Sequence, residues 1–424
     1  MTQIPLEADA QSVEASLAEL AGFVDDTQEG WTRQVFSDPY RASREFVAGK
    51  MRDAGLEVTL DGGGNVVGRL PGRASAAGLS LKPIMTGSHT DTVRGGGRFD
   101  GIVGVLGAIE AVAAMRRSGV ALNRDLYVVD FLGEEPNEFG ISCVGSRSLA
   151  GVLLPEHLDM PGTSGQSMGR TLEAVGLDPQ AALDNAWGRN SLHAYIELHI
   201  EQGPLLERSG HEIGVVTAIA GIDRLMARFI GRADHAGATP MDARLDALGA
   251  AASAVLTIER EGCGAPVHGV ATTGRIESYP GSFNVVPSEA RLWAELRSTD
   301  QGWLSGAKGR LAREIGLEAD RRGVSHMIEW LTDQDAVPTA PAIRDLVARS
   351  ADRLGFSWAP VPSGAGHDAA HMVHLGPMGM IFIPSTGGRS HCPEEFTPTA
   401  DIVRGIQVLA ETLAELDRTD SLAA

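Results

Sequence analysis

Five short polar stretches, spread over roughly three hundred positions, each carry histidine or carboxylate side chains, and a fold for this chain has to account for all of them. They are GSHTDT at 87–92, RFDG at 98–101, GEEPNEFG at 133–140, ELHIEQGP at 197–204 and GGRSHCPEE at 387–395. Together they supply three histidines and several carboxylates, the donor kit for two divalent metal ions. Mixed His and carboxylate ligation with open positions suits hydrolysis, because the metals make a bound water more acidic and polarise a carbonyl.

The patterning around these stretches is α/β. Residues 9–54 show helical periodicity and lead into short strands at LEVTL and NVVGRL and an apolar strand ending in KPIMTGSH. The helix GIVGVLGAIEAVAAMRRSG follows RFDG, and the strand RDLYVVDFLGEE carries its carboxylates at its C-terminal end. Polar residues just past strand ends are where open α/β sheets put their sites. The stretch 151–190 reads as a connector with a short helix, after which HAYIELHI delivers Glu197 and His199. From about 213 to 332 the order becomes strand, helix, strand, strand, helix, strand, which is a ferredoxin-like βαββαβ unit. The chain then returns to helix, strand and helix over 340–417. At 424 residues two domains are expected. The reading is a discontinuous α/β domain, 1–212 and 333–424, with residues 213–332 inserted into it.

Composition narrows the function classes. The net charge of −19, with a pI near 5.0, argues against nucleic acid or an anionic membrane as partner. No basic start with a following apolar run marks a signal peptide, and no apolar run approaches the ~20 residues that span a bilayer. The three cysteines, Cys143, Cys263 and Cys392, form neither a disulfide framework nor a thiolate metal site, so a reducing cytoplasm is expected. The glycines at 95–97 and the run GIVGVLG do not make a dinucleotide fingerprint, since no G-x-G-x-x-G falls at a strand-to-helix turn; helix packing explains them better.

Within the motifs, His89 can ligate through one ring nitrogen while Asp91 fixes its tautomer. Glu134 and Glu135 are adjacent on an extended segment and point to opposite sides, which separates a ligand from a general base. His199 and His391 each read singly as structural histidines, and their weight comes from joint occurrence.

Over nearly its whole length the order of these motifs resembles the hydantoinase/carbamoylase amidases, a branch of the dinuclear aminoacylase and carboxypeptidase superfamily. The resemblance implies a dinuclear-metallopeptidase-like catalytic domain with an inserted dimerisation or lid domain. It implies metal ligation by His89, Asp100 as the bridge, Glu135, His199 and His391, with Glu134 as general base and Asp91 orienting His89. It further implies that His235, in GRADHAGATPM, reaches the partner subunit's site and stabilises the oxyanion. Asn284, Arg297, Gln202 and His367 would contact substrate, the arginine pairing with a carboxylate. The expected activity is hydrolysis of an N-carbamoyl (ureido) bond in a small carboxylate-bearing substrate by a cytoplasmic homodimer using two divalent ions, Zn, Mn, Co or Ni. The alternatives are a dinuclear aminopeptidase or N-acyl deacylase and, in another class, a non-catalytic dimeric binding protein.

Two departures stand out. Many family members follow the paired glutamates with glycine and an arginine-phenylalanine pair, whereas this chain has Pro136, Asn137 and Glu138 before Phe139, which alters the pocket beside the metal kit. Asp234 precedes His235, where a neutral amide is common, and by proximity it would raise the imidazole pKa.

Overall fold

The computed structural model describes residues 6–422. Two compact units emerge, residues 6–217 with 339–361 and 367–422, and residues 218–338 with 362–366. The larger unit contains β1 (Glu57–Leu60), β2 (Val66–Leu70), β3 (Ile84–His89), β4 (Leu126–Phe131), β5 (Ala194–Ile200) and the start of β6 (Ile213–Ile219). The smaller contains β7 (Gly221–Ile230), β8 (Val270–Tyr279), β9 (Glu289–Ser298) and β10 (Ser325–Gln334). The returning chain adds β11 (Val337–Pro338), β12 (Trp358–Ser363) and β13 (Met378–Ile383).

The large sheet runs in the order β1-β2-β4-β3-β5-β13-β6. Its centre, β4-β3-β5-β13, is parallel throughout, and the flanking pairs β2-β4 and β13-β6 are antiparallel. All four central strands are almost wholly buried, as parallel strands covered on both faces must be. Because they run the same way, their C-terminal ends fall on one edge. That edge carries His89 as the last residue of β3, Glu134 and Glu135 just past β4, His199 near the end of β5 and the loop to His391 after β13.

The helices Ile102–Arg117 and Thr399–Arg418 pack together against one face of this sheet, joined by Ala10–Leu20 and Pro341–Leu354. The small residues of GIVGVLG are explained there: a Cβ on Gly104 would lie 2.4 Å from the Leu198 carbonyl oxygen, so glycine lets the helix lie close on β5. A separate cluster includes Tyr40, Leu132, Phe139 and Leu172.

The helical stretch expected over residues 9–54 is two helices, Ala10–Leu20 and Asp38–Asp53. The chain between them is held by Arg33, whose buried guanidinium donates to the carbonyls of Thr90, Leu20 and Phe23. A hydrophobic pattern continuous in sequence is thus interrupted by a tertiary anchor.

In the smaller unit the four strands are antiparallel in the order β10-β7-β9-β8, and the helices Ala247–Cys263 and Gln301–Arg321 share a core with the sheet. This is the βαββαβ arrangement. Ala290, Leu292, Ala294 and Leu296 alternate into that core along β9. The unit boundaries lie at 217/218 and 338/339 rather than at 212/213 and 332/333. The first half of β6 pairs with β13 of the larger sheet, and β10 continues to Gln334, so both strands run past the composition change.

Candidate metal centre

The parallel edge gathers most of the sequence-selected residues within hydrogen-bond range. Asp100 is central: Oδ1 lies 3.2 Å from His199 Nε2 and Oδ2 lies 3.0 Å from His391 Nε2. His391 Nε2 is 3.4 Å from Glu135 Oε1, and His89 Nε2 is 3.5 Å from Glu134 Oε2. Two donor groups result, His89–Asp100–His199 and Asp100–Glu135–His391, each with its ligand atoms within 4.8 Å of one another. They share Asp100.

The backbone explains this convergence. Gly101 has φ of +67°, and a Cβ there would sit 2.3 Å from the His89 ring, so only glycine lets the chain turn after Asp100 beside that histidine. Gln202 and His391 occupy the left-handed region at φ of 58° and 56° without being glycine, strain of the kind that concentrates at functional sites. Asp91 is buried, and its two oxygens accept from the backbone N–H groups of Glu134 at 3.2 Å and Glu135 at 3.0 Å. Its carbonyl lies 3.0 Å from His89 Nδ1, so one residue orients the histidine and both glutamates.

Electrostatics follow from crowding acids and histidines in a dry pocket. Burial pushes Glu134 well above the usual carboxylate range, with Glu135 and Asp368 adding to the effect against the pull of His89. Burial, with Asp100 nearby, raises Glu135 to about 7. Asp100 goes the other way: burial would raise it, but the close approach of the His199 and His391 rings holds it well below its ordinary value. The hydrogen bond to Asp100 lifts His391 to about 9.

The donor set fits divalent cations. The Gly101 N–H points at His199 Nε2 at 3.2 Å while His199 Nδ1 faces the Ile200 carbonyl at 2.8 Å, which leaves Nε2 as a lone-pair atom. That lone pair looks at Asp100 Oδ1, a buried carboxylate oxygen with no hydrogen-bond donor of its own. The bare distance makes an ion pair, but the orientation of both histidine nitrogens favours two facing acceptors, an arrangement a cation between them satisfies.

Other selected residues lie differently. Gln202 donates from Nε2 to Asp100 Oδ2 at 2.9 Å, which places its amide at the cluster itself. His367, expected at the substrate, is 2% exposed and packs edge-on against His199, ring centroids 4.6 Å apart, with Phe382 beyond. It joins Glu197 and His199 in a third buried donor group.

In the smaller unit, His235 pairs with Val285 in an isolated bridge, and Ala236 N–H donates to the Asn284 carbonyl, which makes one exposed patch of His235 and Asn284. His235 Nδ1 accepts from the N–H groups of Gly237 and Ala238 at 3.0 and 3.1 Å. Its proton therefore sits on Nε2, a donor facing outward. Asp234 Oδ2 accepts from Arg232 Nε at 2.8 Å. Arg297 is paired opposite Ile222 on β7, whereas the loop bearing Asn284 enters β9 at Glu289, opposite Ile230. Eight residue steps along β9 separate those positions, about 27 Å at the usual rise. His235 and Asn284 thus stand at one end of the small sheet and Arg297 at the other.

Sequence reasoning did not assign a role to Glu395 or Asp368. Glu395 Oε1 accepts from the N–H groups of Phe99 and Asp100, and Oε2 accepts from Ser390 Oγ, so it ties the Asp100 loop to the His391 loop. Its signal was the carboxylate four residues after His391. Asp368 is fully buried, accepts from Ser146 Oγ at 2.5 Å, and had no signal beyond its neighbour His367.

Histidine and carboxylate donors gathered on the C-terminal edge of a parallel sheet, with a buried glutamate of raised pKa beside them, form a donor set that suits divalent metal ions and hydrolysis. Residues 85–415 match the model of peptidase family M20/M25/M40, and the chain belongs to that family. It is 36% identical, over 97% of its length and 99% of the relative's, to an N-carbamoyl-L-amino-acid amidohydrolase from Paenarthrobacter aurescens. It is 37% identical to a ureidoglycolate hydrolase from Arabidopsis thaliana, covering 97% of this chain and 87% of that one. Among solved structures, a hydantoinase/carbamoylase family amidase from Burkholderia multivorans superposes with a TM-score of 0.87 at 32% identity, covering 98% of this chain and 99% of the other.

Proposed function

We propose that this chain hydrolyses the N-carbamoyl (ureido) bond of a small carboxylate-bearing substrate, an N-carbamoyl-L-amino acid or a close analogue, releasing the amine, ammonia and carbon dioxide. The observation that carries the reading is the pair of donor groups sharing Asp100 with Glu134 alongside. His89 and His199 would hold one ion and Glu135 and His391 the other, with Asp100 common to both. Two such ions, when bound, supply Lewis acidity at the carbonyl and a more acidic water; zinc, manganese, cobalt and nickel all suit these donors.

The chain's own residues divide the remaining work. Glu134 is the group at the cluster that Asp91 positions through the backbone, and its raised pKa suits it to take a proton from the attacking water and return it to the leaving nitrogen. The C–N bond to the amine breaks, and the carbamic acid formed decomposes to ammonia and carbon dioxide. His235, with Nε2–H outward, donates to the developing oxyanion, and Asn284 assists beside it. Arg297 pairs with the substrate carboxylate. Gln202 and His367 support the cluster, Gln202 through Asp100 and His367 by packing on His199.

The protein acts as a homodimer through the smaller unit. The separation of His235 and Asn284 from Arg297 along β9 supports this reading, since one site using all three draws on two subunits. Cytoplasmic residence agrees with three free cysteines, and no helix among the described residues is long and apolar enough to cross a membrane. The test is metal-loaded protein assayed for ammonia and amine on N-carbamoyl-L-amino acids, β-ureidopropionate, allantoate, N-acetyl amino acids and dipeptides. Ammonia and amine together support the reading, and amine without ammonia moves the activity to a deacylase or peptidase.

A further inference from the structure

Asp100 and His391, two members of the Asp100–Glu135–His391 group, hang on a carboxylate that belongs to neither donor group of the centre. Glu395 is 2% exposed, and its four hydrogen-bond partners are all donors. Oε1 accepts from the N–H groups of Phe99 at 2.9 Å and Asp100 at 3.1 Å, and Oε2 from Ser390 Oγ at 2.6 Å and the His391 N–H at 3.4 Å. A Cβ on Gly97 would lie 2.1 Å from the Glu395 carboxyl carbon, so glycine lets the Asp100 loop close over it. Ser390 makes this more than a strut. Its Oγ lies 2.6 Å from Glu395 Oε2 and 3.4 Å from Asp100 Oδ2, two acceptors competing for a single hydroxyl proton, and the shorter contact takes it. Asp100 Oδ2 has two lone pairs, and Gln202 Nε2 occupies one at 2.9 Å. By holding the Ser390 proton, Glu395 leaves the other free toward His391, where an ion shared by Asp100, Glu135 and His391 needs it.

Resting on the two-ion reading of the site, we propose that Glu395 is a positioning residue for the ion held by Asp100, Glu135 and His391: it keeps the Ser390 proton off the shared carboxylate and fixes the backbone of both loops. The ion on His89 and His199 uses Asp100 Oδ1 and does not depend on this hydroxyl. Glu395→Gln isolates the effect because it keeps the size of the side chain. The Phe99 and Asp100 N–H groups hold the remaining carbonyl oxygen, which turns the amide NH2 toward Ser390. Ser390 Oγ then accepts, and its proton is displaced onto Asp100 Oδ2. The His391 N–H loses its acceptor at the same time.

The experiment titrates chelator-stripped protein with Mn(II) by calorimetry and counts bound manganese by elemental analysis, with thermal unfolding of the metal-free proteins as the check on folding. Wild type should take up two ions. Glu395→Gln should keep the affinity for the first and lose about 10- to 100-fold in affinity for the second. Adding Ser390→Ala to that variant removes the misdirected proton and should recover part of the loss, about threefold or more. Ser390→Ala alone leaves Asp100 Oδ2 free, so it should hold the second affinity within about threefold. Ser390 is only half-buried, so this variant folds even if the glutamine variant does not. Unchanged second-ion affinity in Glu395→Gln, equal weakening of both ions, no recovery in the double variant, or a loss of about tenfold or more in Ser390→Ala alone would each overturn the assignment. A wild type that binds a single ion would overturn the two-ion reading along with it. Manganese uptake is read without substrate, so two ions that respond as expected in a protein releasing no ammonia uphold the positioning role and sink the hydrolase reading.

Discussion

Asp91 accepts the backbone amides of two consecutive glutamates with its side chain while its backbone carbonyl holds His89, so three site residues hang on one buried residue. Asp91→Asn keeps the shape but turns one acceptor oxygen into a donor facing an N–H. Metal affinity should fall about 10- to 100-fold, the usual cost of losing a supporting contact behind a ligand, as measured by competition with a chelator. Glu134→Gln should lower kcat by about 10²–10⁴-fold with metal content unchanged by elemental analysis, the signature of a lost base. A retained kcat would remove Glu134 from that role. Proton linkage adds a pH test. The metal-free protein keeps His391 protonated up to about 9 and Glu135 protonated up to about 7, and ligation needs both deprotonated. Affinity should therefore weaken as pH falls below about 9 and weaken more steeply below about 7. Calorimetry in buffers of different ionisation enthalpy reads the released protons directly. At this scale the sequence was informative because ligand chemistry is carried by residue type. His367 and Gln202 were less legible, since whether a polar side chain faces substrate or a neighbouring ligand depends on packing that type alone does not carry.

The four central parallel strands bring distant motifs to one edge, and this was readable because the apolar runs of β3, β4 and β5 lead directly into polar residues of ligand type. The βαββαβ order was readable for a related reason: alternating burial on β9 and helical spacing on its neighbours switch period cleanly. The break between the first two helices was not, because apolar spacing continues through residues that Arg33 pins to the Thr90 loop. Glycine at 101 belongs to the same class of tertiary requirement. Gly101→Ala places a Cβ against the His89 ring and in a left-handed conformation, so it should cost on the order of 1–3 kcal/mol and also weaken metal binding. Denaturant unfolding beside a metal titration checks both, and a variant as stable and as well loaded as the wild type would contradict the packing argument.

For the whole molecule, the proposed use of His235, Asn284 and Arg297 in one site ties the proposed activity to the proposed dimer, because the His235–Asn284 patch and Arg297 stand at opposite ends of β9. His235→Ala and Glu134→Gln should each be nearly inactive alone. Mixed and allowed to exchange subunits, they should recover roughly a quarter of wild-type activity, because half the dimers are mixed and each mixed dimer holds one intact site. No recovery after verified exchange would count against sharing. The most direct measurement of the central claim is still product analysis. Metal-loaded protein given N-carbamoyl-L-amino acids should release ammonia and the free amino acid in equal amounts, and Glu134→Gln with the same metal content should not. Amine from N-acetyl or peptide substrates, with no ammonia from any carbamoyl compound, would contradict the account.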